Sequence, residues 1–182
     1  RARFLEYYGG APLPKTVSFR ELTIQSPVDG GIRKLTSKMG DDRDGGGRRH
    51  KGIDFDTQRG EPVRAVADGK VIVAGVQLKG VGKRNMPSQK ARQSNSRDLA
   101  AGGLLVMIRH KNGVLSAYMH LDDYHVLAGQ EVKRGDHIGV VGRSGIRKSP
   151  AHLHFEFRVD GKHVDPEKIL GGETINSEKT RR

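Results

Sequence analysis

The chain has 182 residues, enough for one domain with short extensions. It contains no cysteine, which excludes disulfides and thiolate metal ligands and leaves histidine and carboxylate side chains as donors for any metal. The net charge is +12, so the surface attracts polyanions, but charge alone does not choose between nucleic acid, anionic lipid and acidic cell-wall polymers. No apolar run approaches the roughly 20 residues that a membrane span requires.

The first part of the chain carries weak strand signals between turns. We interpret residues 1–25 as a flank, which could be the remnant of an upstream domain, with one loosely alternating strand over residues 15–25. The following stretch opens with the turn-rich sequence Ser-Pro-Val-Asp-Gly-Gly and closes with residues 41–49, whose charged, glycine-rich composition predicts a loop. Because the chain begins without Met, a signal peptide, an anchor or a further domain could precede it.

From His50 onward, short runs of alternating apolar and polar residues are typical of β-strands. Asp68-Gly69 predicts a tight turn between two of these strands. Helical periodicity is weak throughout, so we expect a mainly β fold built on an antiparallel sheet. Strands are predicted at residues 52–56, 62–67, 70–74, 104–110, 114–120, 137–141 and 153–159, with a further short run at Val132.

Residues 77–103 interrupt this strand pattern. The segment is polar and carries six Lys or Arg residues against one Asp. So long a segment without periodicity is typical of a functional loop or of a disordered insertion. As a functional loop it would border a substrate groove and admit or exclude substrate. The polar residues 171–182 at the other end of the chain predict a flexible tail.

Two histidines, His152 and His154, lie two residues apart in the clearest predicted strand. A period of two sends both imidazoles to one face of the strand and Leu153, Phe155 and Phe157 to the other face. Alone, such a pair is more often two solvent-facing histidines on a half-exposed strand than part of a site.

The sequence His50-Lys-Gly-Ile-Asp54 offers a second pair of polar groups. A spacing of four would align the two side chains on a helix, but Gly52 and the alternating residues after it favour a loop that enters a strand. Asp54 then lies on the face opposite to Ile53 and Phe55. Histidine and carboxylate suit a divalent ion, although a surface histidine beside an acid is the commoner reason for such a pair.

His120 lies at the end of the predicted strand 114–120, where a histidine is ordinary. Taken together, however, three separate β segments each offer a polar-face histidine, and one of them also offers Asp54. Catalytic zinc uses three protein ligands and one open position. Five candidate groups therefore suit three ligands and two further catalytic side chains, and spacing alone does not assign these roles.

The sequence resembles the lysostaphin/LytM-type zinc endopeptidases of peptidoglycan over residues 26–168. Residues 12–40 are similar to the lead-in of Gram-negative members that cut cross-links. The motifs follow the order of that family, with one insertion. They are His50-Lys-Gly-Ile-Asp-Phe, Gly60-Glu-Pro-Val-Arg-Ala-Val-Ala-Asp-Gly, Tyr118-Met-His-Leu, Gly129-Gln-Glu-Val-Lys-Arg-Gly and Ala151-His-Leu-His-Phe-Glu.

The resemblance implies both a site and a fold. His50, Asp54 and His154 would bind Zn²⁺, and His120 and His152 would be the catalytic pair beside the zinc-bound water. The fold would be a mainly antiparallel β-sheet with a substrate groove over the metal. The peptidase domain would span residues 26–170 and carry the insertion at residues 77–103.

The resemblance also implies an activity. The chain would be a metalloendopeptidase, a peptidoglycan hydrolase that cuts stem peptides or cross-links, with the D-Ala–diaminopimelate bond as the expected target. Its partner would be peptidoglycan rather than nucleic acid, and we expect a monomer. The expected location is extracytoplasmic, in the periplasm or cell envelope.

Two alternatives stay open at this point. A non-enzymatic relative would bind peptidoglycan or a hydrolase partner through the same groove, although such proteins usually lack one or more of the five residues that this chain keeps. A nucleic-acid-binding β domain would rest on charge alone. The remaining histidines lie at predicted turns or strand ends and are expected to be structural: His110, His125, His137 and His163.

Overall fold

The computed structural model describes residues 15–30 and 33–171, so the greater part of the predicted flank and all but the first residue of the predicted tail lie outside the described residues. The strands are β1 (Thr16–Phe19), β2 (Leu22–Gln25), β3 (Leu35–Ser37), β4 (Asp42–Arg43), β5 (Arg48–Arg49), β6 (Ile53–Phe55), β7 (Pro62–Arg64), β8 (Gly69–Leu78), β9 (Gly82–Asn85), β10 (Leu99–Arg109), β11 (Val114–Tyr124), β12 (Glu131–Val132), β13 (His137–Val141), β14 (Leu153–Val159) and β15 (Lys162–Val164). A 3-10 turn spans Asp44–Gly46, and two short helices are α1 (Ser88–Ala91) and α2 (Pro166–Leu170).

Eleven of the described strands form one sheet, whose main path runs β12-β8-β10-β11-β14-β6-β3. On the margins, β9 pairs with β8, β15 with β14, and β13 with both β11 and β7. Every strand pair in this sheet is antiparallel. The prediction of a mainly antiparallel β fold is confirmed. No helix among the described residues has the length and hydropathy of a membrane span.

The central strands of the sheet are buried on both faces. On β10, Leu104, Val106 and Ile108 face the main core, while Leu105 and Met107 face a smaller apolar cluster on the other side. A strand covered on both faces has no polar side to present, which explains the continuous apolar run in this part of the sequence.

Strand β14 divides its side chains between the core and the opposite face. Phe155 lies against Tyr118 and Phe157, with ring centroids 5.3 and 4.9 Å away. Full burial of one such aromatic ring stabilises the fold by about 1.5–3 kcal/mol. His154 and Glu156 point the other way, as the alternation predicts, yet they are only 8% and 5% exposed. The interpretation as solvent-facing histidines is therefore wrong for His154.

The single strand predicted over residues 15–25 is instead a hairpin of β1 and β2. The two turn residues, Arg20 and Glu21, have φ values of 47° and 62°. Hairpin turns of this kind usually contain Gly, Asn or Asp, because those residues tolerate positive φ. None of these three residue types is present in this turn, so the sequence gives no sign of it.

Two other turn predictions need correction. Asp68-Gly69 does not close a hairpin, since β7 pairs with β13 whereas β8 pairs with β9, β10 and β12. The predicted loop at residues 41–49 contains a small hairpin, in which β4 and β5 flank the 3-10 turn. This hairpin matters for the site because it carries Arg43 and leads directly into His50.

The insertion predicted at residues 77–103 contains packed secondary structure. β8 extends to Leu78 and pairs with β9, and α1 buries Ala91 completely. The hydroxyl of Tyr124 donates a hydrogen bond to the carbonyl oxygen of Met86 at 2.5 Å. These contacts fix the segment against the main core, which argues against a disordered insertion. Its role as a functional loop stays a prediction.

Candidate active site

Two neighbouring strands bring the His50–Asp54 sequence against the His-x-His pair. β6 pairs with β14 in a register that places Asp54 opposite His154. Gly52 permits this close approach, because a Cβ atom at that position would lie 2.2 Å from the carbonyl oxygen of Phe155. His50 reaches the same point from the residues that precede β6.

Three potential ligand atoms converge at this point. His50 Nε2 lies 2.9 Å from His154 Nδ1 and 3.1 Å from Asp54 Oδ1, and the last two atoms are 2.8 Å apart. Tetrahedral bonds of about 2.0–2.1 Å to zinc would separate neighbouring ligand atoms by about 3.3 Å, close to this triangle. The three residues are 4–8% exposed, so the cluster is shielded from bulk water.

The chemistry of these atoms fits a bound cation. His50 donates Nδ1–H to the carbonyl oxygen of Lys38 at 2.9 Å, and His154 donates Nε2–H to Glu156 at 3.1 Å. The inward nitrogen of each neutral ring therefore carries a lone pair and faces the Asp54 carboxylate. Three acceptors at this distance repel one another unless a proton or a metal ion lies between them. The described residues thus form a group that could hold a divalent metal.

The surroundings of Asp54 keep its carboxylate ionised. Burial alone would raise the pKa of Asp54, but where a proton rather than a metal ion lies between the carboxylate and the rings of His154 and His50, the resulting hydrogen bonds outweigh burial and bring the pKa well below its usual range. The second carboxylate oxygen accepts a hydrogen bond from Arg43 Nη2 at 2.7 Å. The role of Arg43 was not predicted, because nothing in its spacing connects a glycine-rich loop to Asp54.

Glu156 holds His154 from the far side of the ring. Burial tends to raise the pKa of Glu156, but the hydrogen bond from His154 and the positive charge that this ring has when protonated outweigh burial and lower the pKa to about 2. The second oxygen accepts hydrogen bonds from Arg158 at 3.2 Å and His163 at 3.0 Å. A sequence signal for this role exists, since the two-residue period of β14 places Glu156 on the same face as His154.

His120 and His152 lie beside the three potential ligands. Each donates Nδ1–H to a backbone carbonyl oxygen, that of Ser144 at 3.1 Å and that of Pro150 at 2.9 Å. Among the described residues, no hydrogen bond engages Nε2 of either ring. The ring centroids are 4.9 Å apart, and His152 Nε2 lies 3.6 Å from Asp54 Oδ1. The structure thus brings all five predicted residues together.

His120 has an unusual backbone conformation. Its φ of 66° lies in the left-handed region, where a residue with a side chain is strained. The prediction that His120 ends its strand is wrong, since β11 continues to Tyr124; the pairing of β11 with β10 shifts register between Tyr118 and Leu121. Such a bulge re-aims a side chain within a continuous strand.

The environment of His120 also controls its protonation. Burial is the main cause that lowers the pKa of His120 to about 3, and any proton on the neighbouring rings of His154 and His152 would lower it by charge repulsion. Its ring is therefore neutral near pH 7, the form in which an imidazole accepts a proton.

The other four histidines lie outside this cluster. His110 hydrogen-bonds to the carbonyl oxygen of Asp68 and to Ser116 Oγ, each at 2.8 Å. The rings of His125 and His137 pack against each other at 4.8 Å. His163 reaches the site indirectly, through its hydrogen bond to Glu156.

The sequence matches peptidase family M23 over residues 48–166, which is more than half of the chain and includes all five clustered residues. The chain belongs to peptidase family M23. This membership and the solved structures below confirm the resemblance to lysostaphin/LytM-type peptidases.

Solved M23 structures share the fold. A zinc-containing peptidase from Vibrio cholerae is 32% identical with a TM-score of 0.58, over 86% of this chain and 41% of that chain. The catalytic domain of lysostaphin from Staphylococcus simulans is 28% identical with a TM-score of 0.58, over 76% of this chain and 92% of that chain.

Curated M23 relatives are much longer than this chain. The murein hydrolase activator NlpD of Salmonella typhimurium is 35% identical over 144 residues, which are 79% of this chain and 30% of NlpD. The DD-carboxypeptidase/endopeptidase Mpg of Neisseria meningitidis is 36% identical over 122 residues, 67% of this chain and 23% of Mpg. The chain therefore spans less than a third of the length of either relative.

Proposed function

We propose that the chain is a zinc-dependent endopeptidase that hydrolyses peptide bonds in the stem peptides or cross-links of peptidoglycan. The observation that carries this proposal is the convergence of His50, Asp54 and His154 on one point, with His120 and His152 beside them. Three ligands with a fourth position left to a non-protein group are typical of catalytic zinc, whereas structural zinc is held by four protein ligands.

In this proposal His50, Asp54 and His154 hold the metal. When bound there, zinc would supply Lewis-acid chemistry, by lowering the pKa of a water molecule to about 7 and by polarising a carbonyl group. Arg43 fixes Asp54, and Glu156 fixes His154, so both ligands are oriented by protein contacts of their own.

His120 and His152 would move protons between the water, the peptide and the leaving amine. With Nδ1 bound to a backbone carbonyl, each ring keeps Nε2 without a hydrogen bond among the described residues, and this nitrogen would serve the substrate. A neutral imidazole accepts a proton from the attacking water, and a protonated one donates to the leaving amine or to the developing oxyanion. We assign these tasks to the pair jointly.

Murein, which is peptidoglycan, appears in the name of NlpD, and Mpg is named as a DD-carboxypeptidase/endopeptidase; both names support peptidoglycan as the proposed substrate class. We infer a D,D-endopeptidase that cuts the D-Ala–diaminopimelate cross-link and acts in the periplasm or cell envelope, where that substrate occurs. The net charge of +12 would favour approach to an anionic wall.

A second candidate function is the activation of a separate murein hydrolase. It is favoured by the similarity to NlpD, which is named as an activator. In that case the groove beside the histidines would bind a partner or peptidoglycan without cutting it.

Digestion of purified sacculi separates these two functions. The variants are His152→Ala and, as a control, His125→Ala, which removes an exposed histidine outside the cluster. We expect the wild type and the control to release muropeptides at the same rate, and His152→Ala to release them at least about 100-fold more slowly, the usual contribution of acid–base catalysis.

Mass spectrometry of the released muropeptides identifies the bond that is cut. Equal release by the wild type and His152→Ala would exclude catalysis by this site. Activation would be favoured if the wild type released nothing alone but increased release by a second, separately purified murein hydrolase.

A further inference from the structure

A cleft whose charged side chains are mostly cationic lies beside the candidate catalytic pair. It has a volume of about 1120 Å³ and runs between the insertion and the residues that follow β13. We call it the basic cleft. Its charged lining comprises two carboxylates, Asp122 and Asp123, and six cations: Arg59, Lys79, Arg92, Arg97, Arg143 and Arg147.

The basic cleft reaches the immediate neighbours of His120. Ser144 lines the cleft, and its carbonyl oxygen is the group that accepts the Nδ1–H of His120. Leu121, the residue after His120, also lines the cleft. A ligand that fills the cleft would therefore contact Leu121 and Ser144, the two residues next to His120.

The cations of the cleft exceed its carboxylates by four. Arg59 pairs with Asp122, and Arg92 lies 3.7 Å from Asp123. Within residues 15–30 and 33–171, the other four cations have no carboxylate within 4.0 Å. They are Lys79, Arg97, Arg143 and Arg147.

The backbone around the cleft holds two of these cations in place. Arg143 donates hydrogen bonds to the carbonyl oxygens of Ser149 at 2.7 Å and Arg147 at 2.9 Å, and Lys79 donates to the carbonyl oxygen of Arg97. Their partners are neutral carbonyls, so the positive charge of the cleft is left uncompensated. A wall built this way attracts an anion.

We propose that the basic cleft binds carboxylate groups of the peptidoglycan stem peptide and thereby positions the peptide bond beside His120 and His152. This inference rests on the proposed function and names the part of the substrate that the insertion recognises. Stem peptides carry free carboxylates on D-glutamate and diaminopimelate, and guanidinium groups bind carboxylates through paired hydrogen bonds.

The test removes two charges that support nothing else in the described structure. Arg97 and Arg147 are exposed, and their guanidinium groups form no hydrogen bond or ion pair among the described residues. The test variant is Arg97→Gln combined with Arg147→Gln. The matched control is Arg109→Gln combined with Lys111→Gln, which removes two exposed charges at the far end of β10 from Leu99, a residue of the cleft wall.

The substrates are a cross-linked stem-peptide dimer with free carboxylates and the same dimer with those carboxylates converted to amides. We expect the wild type and the control to show a higher kcat/KM on the carboxylate dimer. The test variant should lose about tenfold in kcat/KM on that dimer, and little on the amide dimer. The loss should shrink as salt is raised to 1 M, because the cleft is open to water and its charges are screened.

The proposal is overturned if the test variant prefers the carboxylate dimer as strongly as the wild type does. Binding of both dimers is measured in parallel by calorimetry in a His152→Ala background. If the wild type cuts neither dimer, the proposed endopeptidase activity is wrong. The binding measurements then still show whether the cleft recognises carboxylates. Equal binding of both dimers, or tighter binding of a duplex oligonucleotide than of the carboxylate dimer, would refute recognition of stem-peptide carboxylates.

Discussion

Each candidate metal ligand is fixed by a second contact on its far side. Lys38 and Glu156 accept the outer N–H groups of the two ligand histidines, and Arg43 donates to the outer oxygen of Asp54. Such partners set the tautomer and orientation of the ligands, so they contribute to metal affinity although they never touch the metal.

Replacing Glu156 with Gln tests this contribution. The amide keeps the size of the side chain but removes the charge that raises the basicity of His154, so we expect zinc affinity to fall by about 10–100-fold. Competition with a fluorescent chelator measures the affinity. Glu131→Gln, at an exposed glutamate on β12, is the control and should bind zinc as the wild type does. An affinity within twofold of the wild type for Glu156→Gln would contradict the supporting role.

His110 predicts a pH dependence of stability that is independent of the metal. Burial is the main cause of its lowered pKa, so the unfolded chain binds a proton more readily than the folded chain does. The free energy of unfolding should therefore fall as the pH drops below about 6.5, with a slope from this group of at most about 1.4 kcal/mol per pH unit.

Urea unfolding between pH 7 and pH 5, with a chelator present, measures this slope. His110→Gln should show a shallower loss of stability on acidification than the wild type, while His125→Gln should follow the wild type. A wild-type slope retained in His110→Gln would show that other groups cause the loss.

At the scale of elements, the site depends on the close contact between β6 and β14. The register of this pair places Asp54 beside His154, and Gly52 leaves room for it. Only a residue without a side chain fits there, because a Cβ would approach the backbone of Phe155 far inside contact distance.

Gly52→Ala should push the two strands apart. We expect the free energy of unfolding to fall by about 1–3 kcal/mol, as for other overpacked sites, and zinc affinity to fall with it. Gly47→Ala is the matched control, since its added Cβ would meet only one atom, at 3.9 Å, and its φ of −73° suits alanine. Denaturant unfolding measures the free energy of unfolding, and chelator competition measures the zinc affinity. If Gly52→Ala left both values unchanged, the site would not depend on the close contact between β6 and β14.

Strand predictions succeeded where period-two alternation was strong and failed where the backbone departed from it. Residues 153–159 match β14 because every second residue is an apolar core residue. The bend at His120 was missed since positive φ at a non-glycine residue leaves no mark in the sequence. The insertion shows no periodicity in its sequence because β9 and α1 are short and mostly exposed.

At the scale of the whole molecule, distant segments meet on one face of the sheet. The five clustered residues come from three segments of the chain. The sequence predicts that each lies on a polar face, but their convergence follows from the strand order β11-β14-β6. Local spacing does not encode that order. The same topology places the insertion near His120, so a charged segment outside the motifs becomes the wall of a cleft beside them.

The most direct test of the account is an anomalous diffraction map at the zinc edge from crystals of the zinc-loaded chain. The account predicts one peak within about 2.2 Å of His50 Nε2, Asp54 Oδ1 and His154 Nδ1, with His120 and His152 beside it. A map with no zinc at these three atoms, or with zinc bound only elsewhere, would contradict it.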